Sequence, residues 1–387
     1  MASLVKTTLA PFPQGDWYDH IAFTCNNATL ILGGIRNQFQ VFHHLRGKWT
    51  IRTTGGDLPK SGWLNHAQVI NDKIYVLVPC RPSMTMYCLN LHTLIWKKLS
   101  PSGKQPSYRV GTRSWTYEGD IYYFGGYHLN NDELNGVNDV FSYNISANLW
   151  KWPNVEGDLP SPRCCPWIII RDETVFLFGG NEVFQNTTYN DLHTLDMSNM
   201  TWRKVHGNLT TGTGPKGSNN NSQYTFTCIS ESAAVLFGAL STNNWKEPWE
   251  DDSWFLNLQS AMQISESGSF WTKMPISYPR ISHASVLQPL SKRLWIIGGI
   301  NSSIQRTTSS SIMKLTFNQL RSLKDLAMDC VARNICAHDP RLAREDQMTR
   351  QLRNEIEEYK CEIGDQYSCP DEDWRNGCPL EEKRKSS

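Results

Sequence analysis

The apolar positions of this chain fall in short runs that end in a pair of small residues. Such runs close at Gly33-Gly34, Gly125-Gly126, Gly179-Gly180, Gly238-Ala239 and Gly298-Gly299, and a degenerate copy closes at Pro79-Cys80. Their first small positions, 33, 79, 125, 179, 238 and 298, stand 46, 46, 54, 59 and 60 residues apart. Upstream of each run lies another strand and a tight polar turn, as at Asn71-Asp72 or Glu118-Gly119. Downstream come a loop, a third strand such as 139–144 or 191–196, and a Trp that opens a fourth: Trp49, Trp96, Trp150, Trp202 and Trp271. Four short antiparallel strands, repeated at this spacing, are the blades of a propeller. The pattern predicts an all-β, six-bladed ring over residues 1–318. The sixth unit ends at Phe317 without a Trp strand, so the stretch around Leu4–Leu9 is expected to supply the missing strand and remove the free edges.

Physical chemistry explains why these residue types recur. A small pair lets the chain leave a strand in conformations that a side chain resists, and lets backbones approach closely. A Trp on the fourth strand covers its own blade and is expected to seal the gap to the next. Burying roughly 150–250 Å² per Trp contributes about 4–6 kcal/mol gross before ordering entropy is subtracted.

Composition narrows the function. The 387 residues carry 38 Lys+Arg against 37 Asp+Glu, which argues against a nucleic-acid binder held by phosphate neutralisation. Apolar runs such as 167–170 and 175–178 are strand-length, short of the roughly 20 residues that span a bilayer, so no membrane crossing is expected. The first residues contain no unbroken apolar core of signal-peptide length, and the 11 cysteines are odd in number with no C-x-x-C pair. These features predict free thiols and a cytoplasmic or nuclear protein. Sequons at Asn27, Asn144, Asn186, Asn199, Asn208, Asn220 and Asn301 would matter in a secreted chain.

The repeat resembles the kelch repeat over roughly residues 15 to 318, on the small-pair strands, the spaced Trp and the Pro-Arg steps at Pro162-Arg163 and Pro279-Arg280. After Phe317 the period changes. Leu320, Leu323, Leu326, Ala327, Cys330 and Val331 fall at three- and four-residue steps, an apolar helical stripe with Ser322 as a cap, and a more charged segment runs from Arg341 to Tyr359. A helical tail is thus expected over 319–362 and a loose terminus over 363–387. On periodicity alone the stripe packs on the ring's outer wall. Ser322, Leu323, Ala327 and Val331 also resemble the elongin-C-binding box, with Ala327 in the place of its Cys. Blades followed by this box give the chain a resemblance to the kelch-domain-containing substrate receptors of elongin-cullin ubiquitin ligases. That resemblance implies elongin B/C and a cullin as partners, Ser322, Leu323, Leu326, Ala327 and Val331 as the elongin C contact, and a protein substrate or C-terminus on the ring. The reading that stands beside it is a cytoplasmic kelch interaction scaffold with no ligase role.

Propeller ligands sit at one mouth of the channel. Arg36, Arg81, Tyr127 and Asn181 follow the small pairs, and Trp63, Arg109, Arg113, Tyr224 and His283 lead into the blades, so these nine are the candidate substrate-binding residues. Arginines among aromatics suit a peptide carboxylate. Arg163 and Arg280 are expected to be structural arginines of the repeat. In diglycine-end receptors two arginines follow the fourth small pair, whereas 181–186 here contains none and Val137 stands where a Trp is expected, so Arg109 and Arg113 are the substitutes. Cys164 and Cys165 are expected to be separated by strand alternation, and the acidic run 250–252 to be a solvated loop. No nucleophile with a partnering base, no cofactor and no metal site are expected.

Overall fold

The structure is a computed structural model that describes residues 2–5, 21–25, 28–32, 38–43, 48–59, 67–130, 133–182, 187–205, 214–215, 224–240, 250–263, 270–274, 280–288, 293–300 and 312–317. Its hairpins are set by short-range chemistry. At Asn71-Asp72 and Glu118-Gly119 both central residues are left-handed, with φ of 46° and 55° and of 47° and 77°, the turn geometry that matches strand twist. Between third and fourth strands the device differs. The side-chain oxygens of Asn90, Asn144 and Asp196 accept from the backbone N–H groups of His92, Ala147 and Ser198, and Leu94, Asn148 and Met200 take positive φ to complete the reversal.

These hairpins build an all-β propeller. Five sheets each draw their strands from one continuous stretch of chain: Ile21–Cys25 to Lys48–Thr53, Ala67–Ile70 to Ile95–Lys98, Arg113–Tyr117 to Leu149–Lys151, Trp167–Arg171 to Thr201–Val205, and Tyr224–Cys228 to Trp271–Lys273. A further sheet is composite. Ala284–Gln288, Arg293–Ile297 and Ile312–Phe317 are completed by Ala2–Val5, which runs antiparallel to the last with Ala2 opposite Phe317 and Val5 opposite Lys314. The N-terminal strand closes the ring over Ala2–Val5, which includes Leu4 and Val5 of the expected stretch; residues 6–9 lie outside the described residues. Among the described residues the one helix is the short Leu258–Met262, capped by Asn257, and none is long and apolar enough to cross a membrane. Residues 318–387, with the expected helical tail, lie outside the described residues.

The core lies between sheets. Apolar clusters join the first sheet to the second through Leu32, Val41 and Val76, the second to the third through Leu77, Met86 and Tyr123, and the third to the fourth through Phe124, Val140 and Leu177. Others join the fourth to the fifth through Phe178 and Leu236, the fifth to the composite sheet through Phe237 and Ile296, and that sheet back to the first through Trp295 and Phe42. Each expected Trp enters one of these clusters, and its partner is the preceding sheet rather than the next. Trp96 packs with the first sheet, Trp150 with the second, Trp202 with the third and Trp271 with the fourth, while Trp49 meets Phe42 and the composite sheet.

The outer edges of the second and fourth sheets are covered by the chain passing between sheets. Gly55-Gly56 runs parallel to Ile95-Trp96, and Glu156-Gly157 parallel to Thr201-Trp202, with Asp57 and Asp158 each donating a backbone N–H to the Trp carbonyl at 2.9 Å. A covered edge is not available for pairing with another chain.

Candidate ligand-binding mouth

The loops that lead into the innermost strands repeat one conformation three times. In Arg109-Val110-Gly111, Arg163-Cys164-Cys165 and Arg280-Ile281-Ser282 the third residue is left-handed, with φ of 76°, 52° and 51°. The middle residue pairs with the residue after the small pair: Val110 with Tyr127, Cys164 with Asn181, Ile281 with Ile300. The pairing explains the second glycine. A Cβ on Gly126, Gly180 or Gly299 would stand 2.8, 2.8 or 2.5 Å from the carbonyl oxygens of Val110, Cys164 and Ile281.

The arginine at the head of each loop points into the protein. Arg163 is fully buried, donates to both carboxylate oxygens of Asp191, to the Gly179 carbonyl at 2.9 Å and to the Ser161 carbonyl at 2.9 Å, and lies over the Tyr189 ring. Arg280 donates to the Gly298 carbonyl at 2.8 Å, and burial lowers its pKa to about 10. Both are structural, as the sequence suggests. Arg109, expected to face a ligand, belongs with them. It is 3% exposed, donates to Asp139 Oδ1 at 2.6 Å and Ser107 Oγ at 3.2 Å, and lies over the rings of Phe141 and Trp152. A carboxylate ligand would have to displace Asp139 to reach it.

The other expected residues divide in the same way. The Tyr127 hydroxyl donates to the Asn181 carbonyl at 3.1 Å and so latches the third sheet to the fourth, while Asn181 Oδ1 accepts from Cys164 Sγ at 2.9 Å within the fourth. The Tyr224 hydroxyl donates to Asp252 Oδ2 at 2.7 Å. Asp252 is itself buried and also accepts from Trp254 Nε1, so the acidic run 250–252 is not wholly a solvated loop. Buried His283 pairs through Nε2 with Thr225 Oγ1 at 3.0 Å. Arg113 is half-buried and donates from Nε to the Pro166 carbonyl at 2.9 Å. Arg81 is exposed and lies over the Tyr108 ring. Arg36, Trp63, Ser322, Leu323, Leu326, Ala327 and Val331 lie outside the described residues.

Alternation does not separate Cys164 from Cys165. The left-handed φ at Cys165 breaks that alternation, and both sulfurs lie beside Gly111, where an added Cβ would stand 2.8 Å from Cys165 Sγ and 3.5 Å from Cys164 Sγ. The adjacent Cys165 holds the Cys164 thiol well above its usual range, with burial adding to it, and Cys164 in turn lowers Cys165 against the opposing effect of burial, with Arg113 assisting.

Lateral side-chain bonds between innermost strands were not anticipated from the sequence. Gln68 Nε2 donates to Ser114 Oγ at 3.0 Å, and Thr227 Oγ1 pairs with Ser285 Oγ. Their sequence separations, 46 and 58 residues, lie at or within two of the repeat steps there, 46 and 60, which was the available signal. Among the described residues no group of His, Cys, Asp or Glu is arranged to hold a metal ion.

Residues 19–238, more than half of the chain, match a family model described as the KLHDC2/KLHL20/DRC7 Kelch-repeats domain. The chain is similar to human Kelch domain-containing protein 1, with 26% identity over 321 residues that cover 74% of each protein. It is similar to Bos taurus Kelch domain-containing protein 3, at 26% over 175 residues, 41% of this chain and 44% of that one. It is also similar to Host cell factor 1 of Rattus norvegicus, at 29% over 217 residues, 53% of this chain and 10% of that one. The solved "Structure of YjhT" superposes with a TM-score of 0.59 at 13% identity, over 81% of this chain and 98% of that one, a likeness of fold alone.

Proposed function

The chain belongs to the KLHDC2/KLHL20/DRC7 kelch-repeat family, and from that premise we propose that it is a non-catalytic substrate-recognition adaptor of an elongin/cullin-RING ubiquitin ligase in the cytoplasm or nucleus. Its kelch repeats are a protein-interaction domain; the ligase role is the step beyond that. In this reading six blades form the ring, its mouth takes a protein substrate by an exposed segment or C-terminus, and the segment from Ser322 to Val331 grips elongin C. The observation that carries it is the order of parts along the chain: the ring's last strand ends at Phe317 and the Ser322-Leu323 motif follows within five residues.

The geometry of the mouth alters which residues serve. Arg109 is held by Asp139, so recognition of a carboxylate falls to Arg113 and Arg81, with Arg36 and Trp63 as further contributors. The chemistry is docking, with no bond made or broken in the substrate.

The test is co-purification of the full chain with elongin B/C, repeated with Leu323→Asp. The adaptor reading expects a stoichiometric complex that the substitution abolishes while the far-UV spectrum and Tm of the ring are unchanged. A complex indifferent to Leu323→Asp, or no complex at all, overturns the ligase role and leaves an interaction scaffold.

A further inference from the structure

We propose that Cys164 and Cys165 form a vicinal dithiol that chelates trivalent arsenicals, a capture site at the junction of the third and fourth sheets. Adjacent cysteines in a regular strand face opposite ways. Here the left-handed Cys165, φ 52°, defeats that alternation and brings both sulfurs to one side. They converge on the space left by a glycine. A Cβ on Gly111 would lie 2.8 Å from Cys165 Sγ and 3.5 Å from Cys164 Sγ, so the missing side chain of the neighbouring loop is what houses the pair. Neither cysteine is in a disulfide.

The surroundings divide the roles of the two sulfurs. Cys164 Sγ donates its one proton to Asn181 Oδ1 at 2.9 Å, which holds it as the thiol. The neighbouring Cys164 and then Arg113 lower the Cys165 thiol against burial, so Cys165 is the readier thiolate, and the thiolate is the nucleophile. Reaction with an arsenic(III) oxide, R–As=O, then proceeds without redox change. Cys165 sulfur attacks arsenic and forms the first As–S bond as the oxygen takes up a proton to become As–OH. Cys164 sulfur forms the second As–S bond, and the hydroxyl leaves as water with the remaining thiol proton. Arsenic stays trivalent.

Burial sets the rate. Cys164 is 0% exposed and Cys165 2%, under the backbone pairing of Cys164 with Asn181 and beside the ribbon of Asn181–Glu182 and Thr187–Thr188. Capture therefore waits on opening of that pairing, and once made it removes the Cys164–Asn181 bond at the ring's mouth.

The experiment treats the reduced, folded full chain with phenylarsine oxide and maps the adduct by mass spectrometry, with the near-UV spectrum recorded to show that the ring stays folded. The expected result is one arsenical bridging Cys164 and Cys165, released by 2,3-dimercaptopropanol but not by excess 2-mercaptoethanol, and absent from that peptide in Cys164→Ser and Cys165→Ser. Labelling of this peptide only in the urea-unfolded chain would overturn the proposal, and so would an adduct there that survives either substitution. The wild-type map decides the matter even if a variant fails to fold.

Discussion

Arg163 and Asp191 are joined by a two-pronged ion pair, Nη1 to Oδ1 and Nη2 to Oδ2, that binds the loop leading into the fourth sheet to a residue 28 positions further on. The guanidinium has no contact with water, while Asp191 keeps 20% of its surface. Burial works to raise the Asp191 pKa, but the Arg163 hydrogen bonds and charge outweigh it and hold the carboxyl below its usual range. The pair thus stabilises the loop that carries Cys164 and Cys165.

Arg163→Ala should destabilise the ring by about 3–5 kcal/mol, because it leaves a largely buried carboxylate without its counter-charge. Arg163→Lys should recover only part of this, since an ammonium cannot reproduce the fork that also meets the Gly179 carbonyl. Urea denaturation of the two variants measures both effects. Equal midpoints for wild type and Arg163→Ala would show the pair to be ornamental.

At Gly126, Gly180 and Gly299 the second glycine of the pair is required by a close approach, and a matched control separates space from backbone strain. Gly180 and Gly119 both have positive φ, 92° and 77°, but a Cβ on Gly180 meets the Cys164 carbonyl whereas Gly119 has nothing within 4 Å. Gly119→Ala should cost about 1–2 kcal/mol from backbone conformation alone. Gly180→Ala should cost clearly more, with the Cys164–Asn181 pairing lost, as read by thermal denaturation and by amide exchange at Asn181. A smaller loss at 180 than at 119 would contradict the carbonyl clash.

The sheets were legible because glycine pairs, polar turns and Trp report local geometry, and their spacing reports the repeat. The mouth was less so. Arg109 looks like a ligand-binding arginine until Asp139, 30 residues away, is seen to hold it, and no local pattern marks that partner. The pairing of Cys164 with Cys165 was hidden by assuming strand alternation. A signal existed nonetheless: Cys165 occupies the position of Gly111 in the preceding repeat, where a glycine announces left-handed backbone. The direction of Trp packing, toward the preceding sheet, depends on ring geometry that periodicity does not carry.

Trp202 is wholly buried, its ring edge-on to Phe124 of the third sheet. Trp202→Ala should lower stability by about 3–5 kcal/mol through lost burial and the cavity left between two sheets. Trp202→Phe should lose less, because it keeps an aromatic surface for Phe124. Differential scanning calorimetry distinguishes the two, and indistinguishable Tm values for wild type and Trp202→Ala would remove Trp202 from the interface core.

His193 should give the ring an acid-sensitive step. Burial lowers its pKa to about 4, with Arg163 and Lys204 adding to the effect and the carboxylates of Asp191 and Asp158 opposing it. Above pH 6.5 the imidazole is neutral folded or unfolded. As pH falls from about 6.5 towards 4, the unfolded chain takes up a proton that the folded chain refuses, so stability declines through that window. Below about 4 both states are protonated and this contribution ends, leaving Asp191 to act next as its lowered carboxyl titrates. The decline assignable to His193 is on the order of 3 kcal/mol. His193→Gln should flatten the stability profile between pH 6.5 and 4 whatever its starting stability, as measured by urea midpoints at half-unit steps of pH. Parallel profiles for the two proteins would mean that His193 is charged in the folded ring.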